Sequence, residues 1–423
     1  MSWTKICLGS AIKIKHGFAF KGEYFESTGK YMVLTPGNFN EEGGFRVREG
    51  KEKFYSGEIP EGYILSKSDL IVAMTEQGEG LLGSAALITT NDRYLLNQRI
   101  GLVTVDENII YKGFLYLLFN TSIVRQQIRN SCSGAKVRHT SPERIYRTEV
   151  EIPPVKTQKK ITAILSAYDD LIENNKHRIS LLENITEDIY REWFVRFRFP
   201  GYQKSHFEKG IPIGWEEKRI DSLGKVTTGK TPATSNEKFY GGDIHFVKTP
   251  DMHGNMFINN TEERLTEDGL NSQPSQIIPV NSISVSCIGT GGVVSITTQK
   301  CSTNQQINSV SLTKIEDLEW SYFTFKALKQ TILAFGATGA TMTNLSKGKF
   351  SGIKPIVPTD DLRLAFHEIV SPMFNEIKTL MRTNDNLAET KNSLIPRLIS
   401  GKLSVEDLDI QFPPSMLDND ESL

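Results

Sequence analysis

Apolar positions in this chain follow two different periods, and stretches of the two alternate. Short apolar runs bounded by Gly, Asn, Asp and Pro clusters occupy residues 5–150: Tyr31-Met32-Val33-Leu34, Leu70-Ile71-Val72-Ala73 and Ile100-Gly101-Leu102-Val103-Thr104-Val105. Runs of this length between turn signals predict β-strands. Residues 112–130 predict a helix, and Thr140 with Glu143 three positions on has the spacing of a capping box. The pattern returns later in the chain, with strand-like Ile244-His245-Phe246-Val247, Ser282-Ile283-Ser284-Val285 and Ile307-Asn308-Ser309-Val310, then a helical stretch over 321–335.

Between and after these β-rich regions the period lengthens. Residues 158–197 contain neither Gly nor Pro, and Ile172, Ile179, Leu182, Ile189 and Trp193 recur on steps of three, four and seven. Ile377, Leu380, Leu387, Leu394 and Leu398 repeat the stripe. This is the a/d seam of a coiled coil. Pro396 is expected to break the second helix and Gly401 to stop it. Two such helices separated by a whole domain pair most simply antiparallel. Asn175 and Asn384 fall on the stripe, where each either pins the register or faces solvent at the edge of the seam.

The alternation is an internal repeat. Ser133-Gly134-Ala135 returns as Thr338-Gly339-Ala340, Ile152-Pro153 as Val357-Pro358 and Ile172 as Ile377, each 205 residues on. Upstream the register loosens: Asn97-Gln98 matches Asn304-Gln305 at an offset of 207, and Thr35-Pro36 matches Thr249-Pro250 at 214. The predicted architecture is α+β, with two tandem α/β domains and two long helices packed as an antiparallel coiled coil. The expected divisions are residues 1–153 and 201–358 for the globular domains, 154–200 and 359–405 for the helical regions, and 406–423 for an acidic tail.

Composition narrows the function. The chain has 423 residues and a net charge of −1. Residues 1–153 carry 19 basic and 17 acidic side chains, and 201–358 carry 16 and 14, so both globular regions are slightly positive. The acids concentrate after residue 359. Contact with a polyanion must therefore come from local patches. No apolar run is long enough to span a membrane, and Met1-Ser2-Trp3-Thr4-Lys5 does not read as a signal peptide. The four cysteines form no CxxC pair or zinc pattern, which fits reduced thiols in a cytoplasm.

One motif is rejected on its surroundings. Gly224-Lys225-Val226-Thr227-Thr228-Gly229-Lys230-Thr231 matches the spacing of a phosphate-binding loop. That chemistry needs a buried strand before the loop and a helix after it. Here a charged segment precedes it, and Pro232 follows with no amphipathic run. No methyltransferase tetrapeptide of the Asn-Pro-Pro-Phe type and no nuclease carboxylate–lysine cluster is present.

The order of these features resembles the specificity subunits of Type I restriction-modification systems. The carriers are Ile152-Pro153-Pro154 with Gln158 opening the first helix, the Gly134 and Gly339 loops before each proline boundary, and Leu394-Ile395-Pro396-Arg397-Leu398-Ile399-Ser400-Gly401-Lys402-Leu403 closing the second. No one of these motifs is specific alone; their duplicated order is. The resemblance spans nearly the whole chain and departs at Trp193-Phe194-Val195-Arg196-Phe197, which replaces a Ser-Gly-Lys turn. It implies two target-recognition domains reading the halves of a bipartite, asymmetric double-stranded DNA sequence. It also implies a non-catalytic subunit with no cofactor or metal of its own. Its partners would be two adenine methyltransferase subunits using S-adenosylmethionine and restriction/translocase subunits using ATP and Mg²⁺. A non-catalytic two-module scaffold or a silent, anti-restriction paralogue is the alternative, and an NTPase ranks behind both. A helix of about 30 residues is roughly 45 Å long, somewhat more than one turn of B-DNA at about 34–36 Å, so the helices would set the gap between half-sites.

The repeat also sorts candidate DNA contacts. Residues shared by both halves suit architecture or a common partner, so Asn97-Gln98 and Asn304-Gln305 read as structural. Polar residues that differ at equivalent places are the specificity candidates. They are Asn38, Asn40, Arg46, Arg48, Lys51, Lys53, Gln77, Lys136, Arg138 and His139 in the first half. In the second they are Asp251, His253, Asn255, Thr290, Thr341, Thr343, Asn344, Lys347 and Lys349. Arg suits guanine O6/N7 and Asn suits adenine N6/N7, whereas Lys347 and Lys349 suit phosphates. Tyr168, Tyr190, Trp193, Phe366 and Phe374 serve either the internal core or a methyltransferase dock.

Overall fold

The computed structural model describes residues 3–48, 50–76, 80–134, 138–337, 343–413 and 416. The chain divides into two compact units, residues 1–172 with 386–423 and residues 173–385.

In the first unit an antiparallel sheet runs in the order Ile12–His16, Ile100–Val105, Leu70–Ala73, Ala85–Leu87. Leu70–Ala73 is buried along its whole length, and this continuous apolar run is what made it legible as an inner strand. A second small sheet contains Tyr31–Val33 paired in parallel with Tyr94–Leu95. Thr4–Cys7 pairs with Glu149–Ile152, which leads through Pro153 and Pro154 into a helix beginning at Val155. Residues 112–130 form two helices rather than one, Lys112–Phe119 and Ser122–Asn130. Asn120 exchanges hydrogen bonds with both backbone groups of Ala85, and the Thr121 hydroxyl caps the second helix at Val124 N–H. These contacts turn the chain where helical period alone would continue it. The cap expected at Thr140 falls one residue later: Pro142 is the first helical residue, Ser141 precedes it, and Glu143 hydrogen-bonds Ser141.

The second unit repeats this plan. Its main sheet runs Gly224–Thr228, Ile307–Leu312, Ile283–Ser286, Val294–Thr297, Phe257–Ile258. Tyr240–Val247 pairs in parallel with Ser302–Thr303, as Tyr31–Val33 does with Tyr94–Leu95. Residues 321–335 again divide, into Leu318–Ala327 and Lys329–Gly336. The short helix Pro142–Tyr146 has its counterpart in Lys347–Ser351, and the helix starting at Val155 in one starting at Asp360, both 205 residues on.

The long helices are Val155–Tyr190, prolonged by a π-helical turn over Arg191–Val195, and Asp360–Ile399. Pro396 does not break the second. Pro396 and Asn392 are both exposed, so water replaces the one lost backbone bond, and the helix ends before Gly401, which has φ 71°. The helices run antiparallel in each unit: Lys391 meets Asp169 at 2.5 Å in the first, and Arg178 meets Glu376 at 2.7 Å in the second. Along the seam Ile377 and Leu380 are buried. Ile179, Leu182 and Ile189 pack on the second core and Leu394 on the first, while Ile172 and Leu387 are half-buried. Tyr190, Trp193, Phe366 and Phe374 belong to the buried core of the second unit, which settles their use in favour of the core; Tyr168 stays half-buried outside it.

Candidate nucleic-acid interface

In each unit one diverging segment runs on from a main-sheet strand and pairs with a second. In the first unit the strand ending at Ala73 runs on through Met74, Thr75 and Glu76. Thr75 bridges His139 across an antiparallel pair, with Thr75 Oγ1 and His139 Nδ1 3.1 Å apart. In the second, Ile288–Gly289 pairs with Thr343–Asn344 in the same sense. His139 and Asn344 are 205 residues apart, so the repeat extends into the candidate interface itself.

The loops of the first unit are held by charge. Glu76 Oε1 accepts from Gly80 N–H and from Arg129 Nη2, both at 2.9 Å, and Glu76 Oε2 lies 3.8 Å from Arg138 Nη1. Arg125 donates to the carbonyls of Leu82 at 3.1 Å and Glu41 at 2.8 Å, and also to that of Gly80. Burial, with Arg129 nearby, lowers the Arg125 pKa below its ordinary value. Arg125 and Arg129 lie four residues apart on one helical face. That spacing was their only trace in the sequence, and the three anchoring residues Glu76, Arg125 and Arg129 escaped sequence reasoning.

Two candidate readers prove to be architectural. Asn38 is 6% exposed; its Oδ1 accepts from Thr35 N–H at 2.8 Å and from the Thr35 hydroxyl, and its Nδ2 donates to Arg46 O at 3.2 Å. Asp251 accepts from Lys248 N–H at 2.7 Å and Glu262 N–H at 3.1 Å, which engages both carboxylate oxygens. Each closes a turn by accepting from the backbone N–H three residues before it. A turn of this kind needs a short polar side chain aimed at the backbone, and in sequence that looks the same as one aimed at DNA.

The remaining candidates are distributed as follows. Arg46 is exposed but its Nε donates to Gly37 O at 3.0 Å, and Arg48 lies over the same glycine. The Asn40 carbonyl accepts from Ser84 Oγ. Lys51 and Lys53 are exposed, with Lys53 Nζ 5.8 Å from the Phe25 ring. His253, Asn255 and Thr290 are exposed, and Asn255 Nδ2 donates to Asp251 O at 3.0 Å. Thr343 is half-buried, whereas Asn344, Lys347 and Lys349 are exposed around the start of Lys347–Ser351. Gln77, Lys136 and Thr341 lie outside the described residues.

The shared Asn-Gln pair is architectural in its backbone. A side chain at Gly17 would collide with Asn97 O, and one at Gly229 with the Thr303 hydroxyl and Asn304 O. The phosphate-loop spacing at residues 224–231 is an edge strand entering this close approach, with Gly224–Thr228 paired to Ile307–Leu312, and it is no anion cradle.

The model of the Type I restriction modification DNA specificity domain matches this chain twice, at residues 1–184 and 212–389. The chain belongs to the Type I restriction-modification DNA specificity family. Both matches run from a globular unit into its long helix, as the repeat requires. Among relatives, the HindI specificity subunit of Haemophilus influenzae is 30% identical over 405 residues, covering 80% of this chain and 87% of its own. The MjaIX specificity subunit of Methanocaldococcus jannaschii is 25% identical, covering 71% of each. The crystal structure of a Type I S subunit from M. genitalium superposes with a TM-score of 0.58 at 15% identity, covering 94% of this chain and 96% of its own, a likeness of fold. Among the described residues no helix is long and apolar enough to cross a membrane.

Proposed function

We propose that this specificity-family chain is the non-catalytic reader of a bipartite, asymmetric double-stranded DNA target, working in the cytoplasm. Each unit reads one half-site through the loops at the end of its main sheet. The long helices fix the gap and receive two adenine methyltransferase subunits. Those partners bring S-adenosylmethionine and flip the target base out of the stack. Restriction/translocase subunits join with ATP and Mg²⁺ of their own. The observation that carries this reading is one scaffold used twice with different loop side chains: Thr75 faces His139 where Ile288 faces Asn344. A protein that reads two unlike half-sites needs a common frame and unlike contacts.

The test is methylation-site sequencing of DNA from cells carrying the chain with its neighbouring methyltransferase, against cells lacking only the chain. A bipartite methyl-adenine motif that appears only with the chain is the expected result. Absence of any new motif, with the methyltransferase active beside another specificity subunit, would replace this reading with that of a silent paralogue or scaffold.

A further inference from the structure

The turn carrying the shared Asn-Gln pair is alike in both units except at its third residue. It reads Asn97-Gln98-Arg99 in the first unit and Asn304-Gln305-Gln306 in the second. The backbone setting is the same. Arg99 O accepts from Met74 N–H at 2.9 Å, and Gln306 O accepts from Cys287 N–H at 2.7 Å. Each turn is pressed against the glycine that follows the first strand of the main sheet, Gly17 or Gly229.

The side chains are used differently. Gln306 is half-buried, and its Oε1 accepts from Asn304 Nδ2 at 3.2 Å and Thr249 Oγ1 at 3.3 Å. With its oxygen occupied, Gln306 has only Nε2 hydrogens left to offer. Arg99 is exposed and has neither a hydrogen bond nor an ion pair among the described residues. Glu76, in the neighbouring segment, is already committed to Gly80, Arg129 and Arg138.

Position separates Arg99 from an ordinary solvated arginine. Met74 N–H bonds Arg99 O, and Met74 O accepts from Thr140 N–H. Met74 therefore ties the turn carrying Arg99 to the paired segments that carry Thr75 with Glu76 and Arg138 with His139. A guanidinium beside that group, without a partner among the described residues, can present two parallel N–H donors to guanine O6 and N7.

We propose that Arg99 contacts a guanine in the half-site of the first unit, and that the residue after the shared Asn-Gln pair is a specificity-determining position in both units. This rests on the DNA-reading function proposed above. It also explains why the turn is kept while its last residue changes: the backbone is common framework and the side chain is the variable part.

The test is Arg99→Gln in the full-length chain, co-expressed with its methyltransferase. The methylated motif is sequenced, and binding to duplexes varied at every half-site position is measured over a range of salt. The expected result is altered base preference at one position of one half-site, with preference for the parental base falling roughly 5- to 150-fold and the other half-site unchanged. Gln306→Arg should alter only the other half-site. Arg99→Lys, which keeps the charge but not the two parallel donors, should relax the same position. An equal loss on all sequences with a shallower salt slope would make Arg99 a phosphate contact and overturn the proposal. An unchanged motif from Arg99→Gln would overturn it as well. If the parental chain itself yields no bipartite motif, the functional reading has failed instead.

Discussion

Asn175 donates from Nδ2 to Asn384 Oδ1 at 2.9 Å, joining the two long helices side chain to side chain within the second unit. Asn175 is 3% exposed, so the pair is part of the seam and not its solvated edge. Apolar contacts along a seam tolerate a slip of one turn, whereas a buried amide pair is satisfied in one alignment only. Asn384→Ala would leave Asn175 buried without this partner and should destabilise the second unit by about 1–3 kcal/mol. Replacing both by Leu should preserve or raise stability while loosening register. Denaturant unfolding followed by helical circular dichroism checks the first expectation. Cysteine cross-linking across the seam checks the second, and a single cross-linking register in the double variant would contradict it.

Legibility in the sequence followed how locally each feature is determined. Leu70–Ala73 and Ile100–Val105 were readable to the residue because they are short apolar runs inside a sheet, bounded by turns. The first long helix was readable from forty residues without a breaker, and the second from the repeating stripe despite its prolines. The break at Asn120 was not, because the residues on both sides have helical period and the decision comes from Ala85, 35 positions away. The interface loops were found through the repeat, but Asn38 and Asp251 show where that reasoning stopped. Divergence between halves marks a position as unshared without saying whether its side chain faces backbone or solvent.

The two capping residues give a direct contrast with true readers. Asn38→Ala removes two hydrogen bonds to Thr35 and one to Arg46 O, and Asp251→Ala removes one to Lys248 N–H and one to Glu262 N–H. Each substitution should cost about 1–2 kcal/mol of stability, the range for a lost cap. Any folded fraction should keep the parental half-site preference. Thermal unfolding and methylation-motif sequencing of the same variants separate the two effects. A changed base preference at full stability would restore either residue as a reader.

Acid should loosen the second unit through His245. This side chain is 4% exposed within Tyr240–Val247 and is paired in register with Arg264. Burial, reinforced by the Arg264 charge and opposed by Asp251, holds its imidazole below the ordinary value of 6.5. The unfolded chain therefore takes up a proton near pH 6.5 that the folded unit does not accept until lower pH. Stability present above pH 6.5 is lost as pH falls towards the folded value. Glu319 works in the opposite direction, since burial raises its carboxyl pKa. The difference between the parent and His245→Gln isolates the histidine. Urea midpoints measured on either side of pH 6.5 should fall more steeply with acid in the parent, and equal slopes would remove His245 as the cause.

If the helices set the gap between half-sites, lengthening them should change the gap and nothing else. One heptad inserted into each long helix at the level of Asn175 and Asn384 keeps the apolar stripe in phase. It adds about 10.5 Å of helix, close to three steps of duplex at about 3.4 Å each. The loops that end the two main sheets are untouched, so both half-sites should stay as they are while the unspecified stretch between them grows by about three base pairs. A five-residue insertion serves as the control, because it rotates the stripe out of phase and should weaken the helix pairing itself. Sequencing the methylated motif reads gap and half-sites together. A gap unchanged by a folded heptad variant would show that something other than helix length determines the spacing.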